Sequence, residues 1–172
     1  MHPVRVSLGF ARGTGFVSKM IRRLDGGMFN HVYWRFDYDP EGSQIYESHL
    51  KGGVQITPYE YLENARLMGK VTFIDEFEVS TDEIDCRLLY TACRQEHGDS
   101  YNLWQIAKYY SWIRFGFGLG DPEAGANDEK YTCNQFVVST GRKVFKEWSG
   151  TDYTFTIEPL HQMAVRLYRR MM

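Results

Sequence analysis

Cysteine is scarce in this chain: Cys86, Cys93 and Cys133 are the three in 172 residues. Three thiols cannot build the disulfide framework of a small secreted fold, and an odd count leaves one unpaired. If Cys86 and Cys93 share a helix they stand about 10 Å apart along its axis, beyond disulfide reach. A chain this long needs no such staples. With no signal-peptide apolar region before Arg12, the reading is a reducing, cytoplasmic setting. No run of 18 apolar residues occurs, so no integral membrane segment is expected. Excess charge is also missing: 20 Lys+Arg face 22 Asp+Glu, and the net charge of −2 argues against nucleic acid as a partner. The pairs Arg22-Arg23 and Arg169-Arg170 are too short to form a phosphate-binding patch. Neither Gly-x-Gly-x-x-Gly nor a P-loop appears, so no nucleotide cofactor is implied. With five prolines and no linker, repeat or low-complexity tract, residues 1–172 read as one domain.

What the chain does have is aromatic residues, 16% of the total, together with a globular balance of apolar and charged groups. This content suggests a cleft or interface with aromatic lining. Residues 4–8 alternate as a short strand, and Phe16, Val17, Met20, Ile21 and Leu24 form one face of a helix that stops at Gly26-Gly27. Residues 31–38 and about 44–50 read as a hairpin closed by Asp39-Pro40-Glu41-Gly42. Thr57, Pro58 and Glu60 mark a helix start, with Thr57 as the cap. Val71–Val79 is a strand, and Ser80 with Glu83 forms a capping box opening a helix to about Glu96. Residues 101–115 are expected to be helical, 116–130 a Gly-rich loop, and 132–146 a helix. A strand near 152–157 and a short helix from Pro159 complete the chain. Mixed elements with an antiparallel hairpin give an α+β fold, a small antiparallel sheet packed with helices.

Cys133 carries the strongest chemical signal. Thr132 and Gln135 have capping-box spacing, which puts Cys133 at the first helical position. There the helix dipole and unpaired N–H groups favour thiolate, the nucleophilic form. The competing reading is a buried structural thiol. His31 opens a strand, and Glu47 and His49 share one face of the next. A carboxylate beside an imidazole fixes its tautomer, so Cys133, His31 and Glu47 suit nucleophile, base and orienter. His49 points the same way as Glu47 and competes for the third role. Cys93 and His97 stand at i, i+4 but lack a second ligand pair, so no metal site is assigned.

Three segments taken together resemble a known family: Phe29–Trp34, then Ile45–Ser48 with Gly53-Val54, then Tyr131–Val137. They are similar to the circularly permuted papain-like hydrolases of the NlpC superfamily, in particular its YiiX-like group. In that family the His strand and the polar strand precede the Cys helix, the order found here. The approach Gly98–Asn102 and the ending Ile157–Leu160 extend the likeness over most of the chain. The resemblance implies Cys133 as nucleophile, His31 as base and Glu47 as orienting residue, with the Cys133 N–H as an oxyanion donor. It implies a peptidase or amidase working through a thioester on a peptide or amide substrate such as a bacterial cell-wall peptide. Cys133–Val137 is also similar to the lecithin retinol acyltransferase branch, which implies thioesterase or acyltransferase chemistry on lipids. A further alternative is a non-catalytic module that binds peptides or acyl chains. The tract around Trp104, Tyr109, Tyr110 and Trp112, with the loop 116–130, is placed to cover the cleft.

Overall fold

The computed structural model describes residues 2–38, 40, 42–50, 52–101, 130–149 and 157–171. Its elements run β1 (Arg5–Gly13), α1 (Phe16–Asp25), β2 (His31–Tyr38), β3 (Gly42–His49), β4 (Gly53–Pro58), α2 (Tyr59–Leu67) and β5 (Val71–Ser80). Then come α3 (Glu83–Gln95), β6 (Ser100–Tyr101), β7 (Lys130–Tyr131), α4 (Cys133–Arg142), a 3-10 turn (Lys146–Trp148), α5 (Ile157–Leu167) and β8 (Arg169–Arg170). Six strands form one sheet in the order β4-β3-β2-β1-β5-β8, and every neighbouring pair is antiparallel. The class is α+β, with a wider sheet than the hairpin alone suggests.

Strand alternation divides the interior into two layers. Val32, Trp34 and Phe36 of β2 join Val6, Leu8 and Phe10 of β1 in the main core. Helices α3, α4 and α5 close it with Leu89, Phe136, Val137 and Leu160. On the opposite face Ala11, Tyr33 and Ile45 pack with Tyr59, Leu62 and Val71, partly under α2. Helix α4 is fixed to the sheet at its far end. The Trp34 indole N–H donates to Thr140 Oγ1 (2.9 Å), whose hydroxyl donates to the Phe136 carbonyl (2.8 Å). Gly141 lies so close to the Trp148 ring that a Cβ would come within 2.5 Å of it. Cys133, seven residues before Thr140, is thereby held at a set height over the β2 and β3 ends.

Several boundaries differ from the sequence reading, each for a local reason. Strand β1 extends to Gly13 because it pairs with both β2 and β5. Helix α3 is capped by Asp82, whose carboxylate accepts the Ile84 and Asp85 N–H groups, while Ser80 Oγ accepts from the Asp82 N–H. Acidic Asp82 is the better placed acceptor, so the Ser80–Glu83 box does not form. Thr57 does not cap α2; its hydroxyl turns into the sheet toward Glu47. Helix α4 stops at Arg142 and a 3-10 turn follows, and α5 begins at Ile157, before Pro159. Tyr101, expected at a helix start, lies in β6, and Lys130, expected in the loop, lies in β7. The rest of the expected helix 101–115 and loop 116–130, and the strand near 152–157 up to residue 156, lie outside the described residues. With them lie Trp104, Tyr109, Tyr110 and Trp112.

Candidate active site

The β2–β3 ladder ends at Trp34↔Tyr46, and His31 and Glu47 lie just beyond it. The two strands therefore part where these side chains sit, although His31 still pairs with Ala11 of β1. Glu47 remains paired on its other side, opposite Gln55 of β4. The His31 ring is joined at Nε2 to Glu47 Oε2 (2.5 Å). The second carboxylate oxygen accepts from Gln55 Nε2 (3.0 Å) and Thr57 Oγ1 (3.2 Å). Three donors on one carboxylate fix its plane and, through it, the plane of the imidazole.

Cys133 lies close enough to the same imidazole for its thiol to act on the His31 ring. Helix α4 opens with the capping box read from the sequence: the Gln135 N–H donates to Thr132 Oγ1 (3.3 Å), and the Thr132 N–H donates to Gln135 Oε1 (3.0 Å). The first intrahelical bond runs from Phe136 N–H to the Thr132 carbonyl. The Cys133 sulfur thus sits at the N-terminus of a ten-residue helix, where the backbone field favours negative charge.

Electrostatics follow from this shared ring. Burial pushes the His31 pKa down, but its hydrogen bonds to Cys133 and Glu47 and their charges outweigh burial and hold it at about 10. Burial pushes Glu47 up, and the His31 and Gln55 hydrogen bonds with the His31 charge bring it down to about 2. The ring is an imidazolium facing a carboxylate across the neutral pH range. Burial, with the Asp85 and Asp82 charges, raises the thiol pKa of Cys86 to about 11, and burial carries Cys93 well above the ordinary thiol range.

Of the residues singled out from sequence, His31, Glu47 and Cys133 come together. His49 stays on the rim, its ring centroid 6.2 Å from that of His31, edge-on, and exposed. Cys86 and Cys93 lie buried in α3, away from the site and unbridged. Gln55 and Thr57 were missed because β4 is a short strand with polar residues. Its signal was the alternation of Val54 and Ile56 with these two. Asn30 was also missed. Its Oδ1 accepts from the Gly13 N–H (2.7 Å) and Arg22 Nη1 (2.9 Å), which sets the backbone entering His31.

Tyr101 reaches the site from β6, where burial and then the nearby Cys133 charge push its hydroxyl well above the ordinary range. The segment before it is clamped to β4: the Val54 N–H donates to the Asp99 carbonyl (2.8 Å) and the Gly98 N–H to the Val54 carbonyl (2.9 Å). Gly53 makes this clamp possible. It has φ +64°, and a Cβ there would fall 1.9 Å from Asp99 O. Gly53→Ala is expected to lower stability by about 1–3 kcal/mol and to reduce turnover by displacing Tyr101. Gly26→Ala, also at positive φ (+67°) but with open space around it, should cost about 1 kcal/mol and leave turnover alone. Thermal melts with matched activity assays check the contrast.

No family model matches this sequence, and no curated protein matches it. Among solved structures the chain is similar to metalloprotein yiiX from Escherichia coli O157:H7, at TM-score 0.63 and 12% identity. The match covers 100% of this chain and 98% of that one. The chain therefore has a YiiX-like fold along its length, and at this identity the likeness carries the fold alone.

Proposed function

We propose that this chain is a cysteine hydrolase of the permuted papain-like kind, cleaving an amide or related acyl bond through a thioester on Cys133. The observation that supports it best is the single imidazole shared between the Glu47 carboxylate and the Cys133 thiol at a helix N-terminus. In this reading the sulfur attacks the substrate carbonyl carbon, and the Cys133 N–H donates to the oxygen that becomes negative. The tetrahedral adduct collapses, the C–N bond breaks, and His31 gives its proton to the departing nitrogen. Thioester formation removes the sulfur charge that helped keep His31 protonated. The neutral ring then takes a proton from water as its oxygen attacks the thioester. The carboxylic acid leaves, and the proton on His31 restores the starting pair. Glu47 keeps the ring oriented and stabilises its charge throughout.

The yiiX protein is described as a metalloprotein, so the fit of a metal to this site matters. Glu47 and Cys133 both occupy the His31 ring, and no set of three or more His, Cys, Asp or Glu among the described residues is arranged to hold a metal. The donor set does not fit a metal, and no step is routed through one.

Iodoacetamide alkylation of the folded protein, followed cysteine by cysteine by mass spectrometry, tests the proposal. Cys133 should react at least about a hundredfold faster than Cys86 or Cys93 at neutral pH, and His31→Ala should slow it sharply. Equal rates at all three cysteines would overturn the assignment.

A further inference from the structure

Helices α1 and α2 flank the sheet with none of their described side chains buried. Most helices in folded proteins owe their stability to packing an apolar face, so a pair that buries so little is unusual. The turn into α1 is bonded to the turn after α2. The Thr14 N–H donates to the Lys70 carbonyl (2.9 Å), and the Thr14 hydroxyl lies 3.2 Å from the Gly69 and Lys70 carbonyls. Ser18 of α1 and Tyr61 and Ala65 of α2 border one cavity, so the two helices stand side by side.

Three large apolar side chains project from this junction. Phe16, the first residue of α1, is 82% exposed; Leu67, the last of α2, is 85% exposed, and Met68 after it 69%. The charge around them has one sign. Residues 12–24 and 64–74 hold six of the 20 cationic residues, Arg12, Lys19, Arg22, Arg23, Arg66 and Lys70, and none of the 22 acidic ones. Arg22 is tied inward to the Gly13 carbonyl and Asn30. The other five are exposed, and among the described residues none of them is in an ion pair. Exposed Ile84 and Leu88 of α3 make the contrast, because they share their helix start with Asp82, Glu83 and Asp85.

Cations alone would suit any polyanion, and apolar tips alone would suit any greasy surface. Together they fit a surface with anionic groups outside and hydrocarbon beneath. A folded protein partner would need an apolar socket shaped to side chains at the ends of two turns and ringed with acids. A fluid bilayer needs no such shape. We propose that this corner docks the protein on an anionic phospholipid surface, with Phe16, Leu67 and Met68 entering the acyl boundary and the exposed cations lying among the headgroups. Docking of this kind does not depend on the Cys133 chemistry.

The test is co-sedimentation of the full chain with phosphatidylcholine vesicles, with and without phosphatidylglycerol. Phosphatidylglycerol should tighten binding at least about tenfold, and added salt should undo most of that gain. Phe16→Ser combined with Leu67→Ser should weaken binding to the mixed vesicles at least about tenfold, since two apolar side chains no longer leave water. Lys19→Glu combined with Lys70→Glu should weaken it by at least as much, at about fivefold for each charge brought to the surface. All four side chains are exposed, so both double variants should melt with the wild type. Ile84→Ser combined with Leu88→Ser should bind like the wild type. Failure to bind mixed vesicles, equal binding to both kinds, or an equal loss in the α3 variant would overturn the proposal. Vesicle and heparin binding that both survive Phe16→Ser with Leu67→Ser would mark a general polyanion site and overturn it as well. So would a dimer in sedimentation velocity that this same variant dissociates, which would assign the face to a second copy of the chain.

Discussion

Glu47→Gln should lower kcat/KM by more than about tenfold, whereas His49→Gln should change it far less. The amide keeps the size of the carboxylate and can still accept from the His31 ring, so the loss reports the charge. Without that charge the imidazolium loses one of the two anions that hold its pKa at about 10, so the alkaline limb of the pH–rate profile should move down. Stability should follow the same pair. The His31 pKa is raised above its ordinary 6.5, so its contribution is full below about 6.5 and is lost as pH rises through about 10. The Glu47 pKa is lowered from 4.5 to about 2, so its contribution is present above 4.5 and lost as pH falls toward 2. The stability gap between wild type and Glu47→Gln should therefore be widest between about pH 4.5 and 6.5 and narrow toward both extremes. Chemical denaturation across pH measures it. A larger kinetic loss in His49→Gln, with both variants folded, would transfer the orienting role to His49.

The largest stability effect is expected farther along the same face of the sheet, at Glu76. This carboxylate is 7% exposed and accepts from the Tyr33 hydroxyl (2.7 Å), Arg35 Nη1 (2.8 Å) and the Tyr59 hydroxyl (3.2 Å). Arg35 in turn lies 4.0 Å over the Tyr59 ring and donates to Asp37, which also accepts from Arg5 and Ser43. Glu76→Ala removes the centre of this network and leaves a part-buried guanidinium and two hydroxyls short of an acceptor. Breaking a buried pair in this way costs about 3–5 kcal/mol. In a chain of this size that lowers the melting temperature by roughly 10 °C. Arg35→Met in the same protein should add less than its own single cost, because both substitutions remove one interaction. Strict additivity would show that Glu76 and Arg35 act independently.

The parts of the molecule legible in the sequence are those written in short-range chemistry. Thr132 and Gln135 encode their own capping box, so the start of α4 and the place of Cys133 on it were readable. The strand-forming residues of 31–38 and the turn after them gave the β2–β3 hairpin, and Gly26 marked the end of α1. Where two local signals competed, tertiary context chose. Asp82 displaced Ser80 at the α3 cap, and Thr57 left the α2 start because Glu47 needed a donor. Sheet order was out of reach, since β1 and β5 pair across some sixty residues with nothing local to register them. The choice between Glu47 and His49 was equally hidden. Both project to one face, and only the end of the β2–β3 ladder at Trp34↔Tyr46 brings Glu47 onto the imidazole.

Trapping a covalent acyl group on Cys133 tests the proposed hydrolase at its chemical step. Folded protein is mixed with an activated acyl ester, quenched in acid within the first turnover, and its intact mass and peptide map recorded. One acyl group per chain is expected, carried on the peptide containing Cys133, released by hydroxylamine at neutral pH, and absent from Cys133→Ala. An acyl group on any other residue, or undiminished ester turnover by Cys133→Ala, would contradict it.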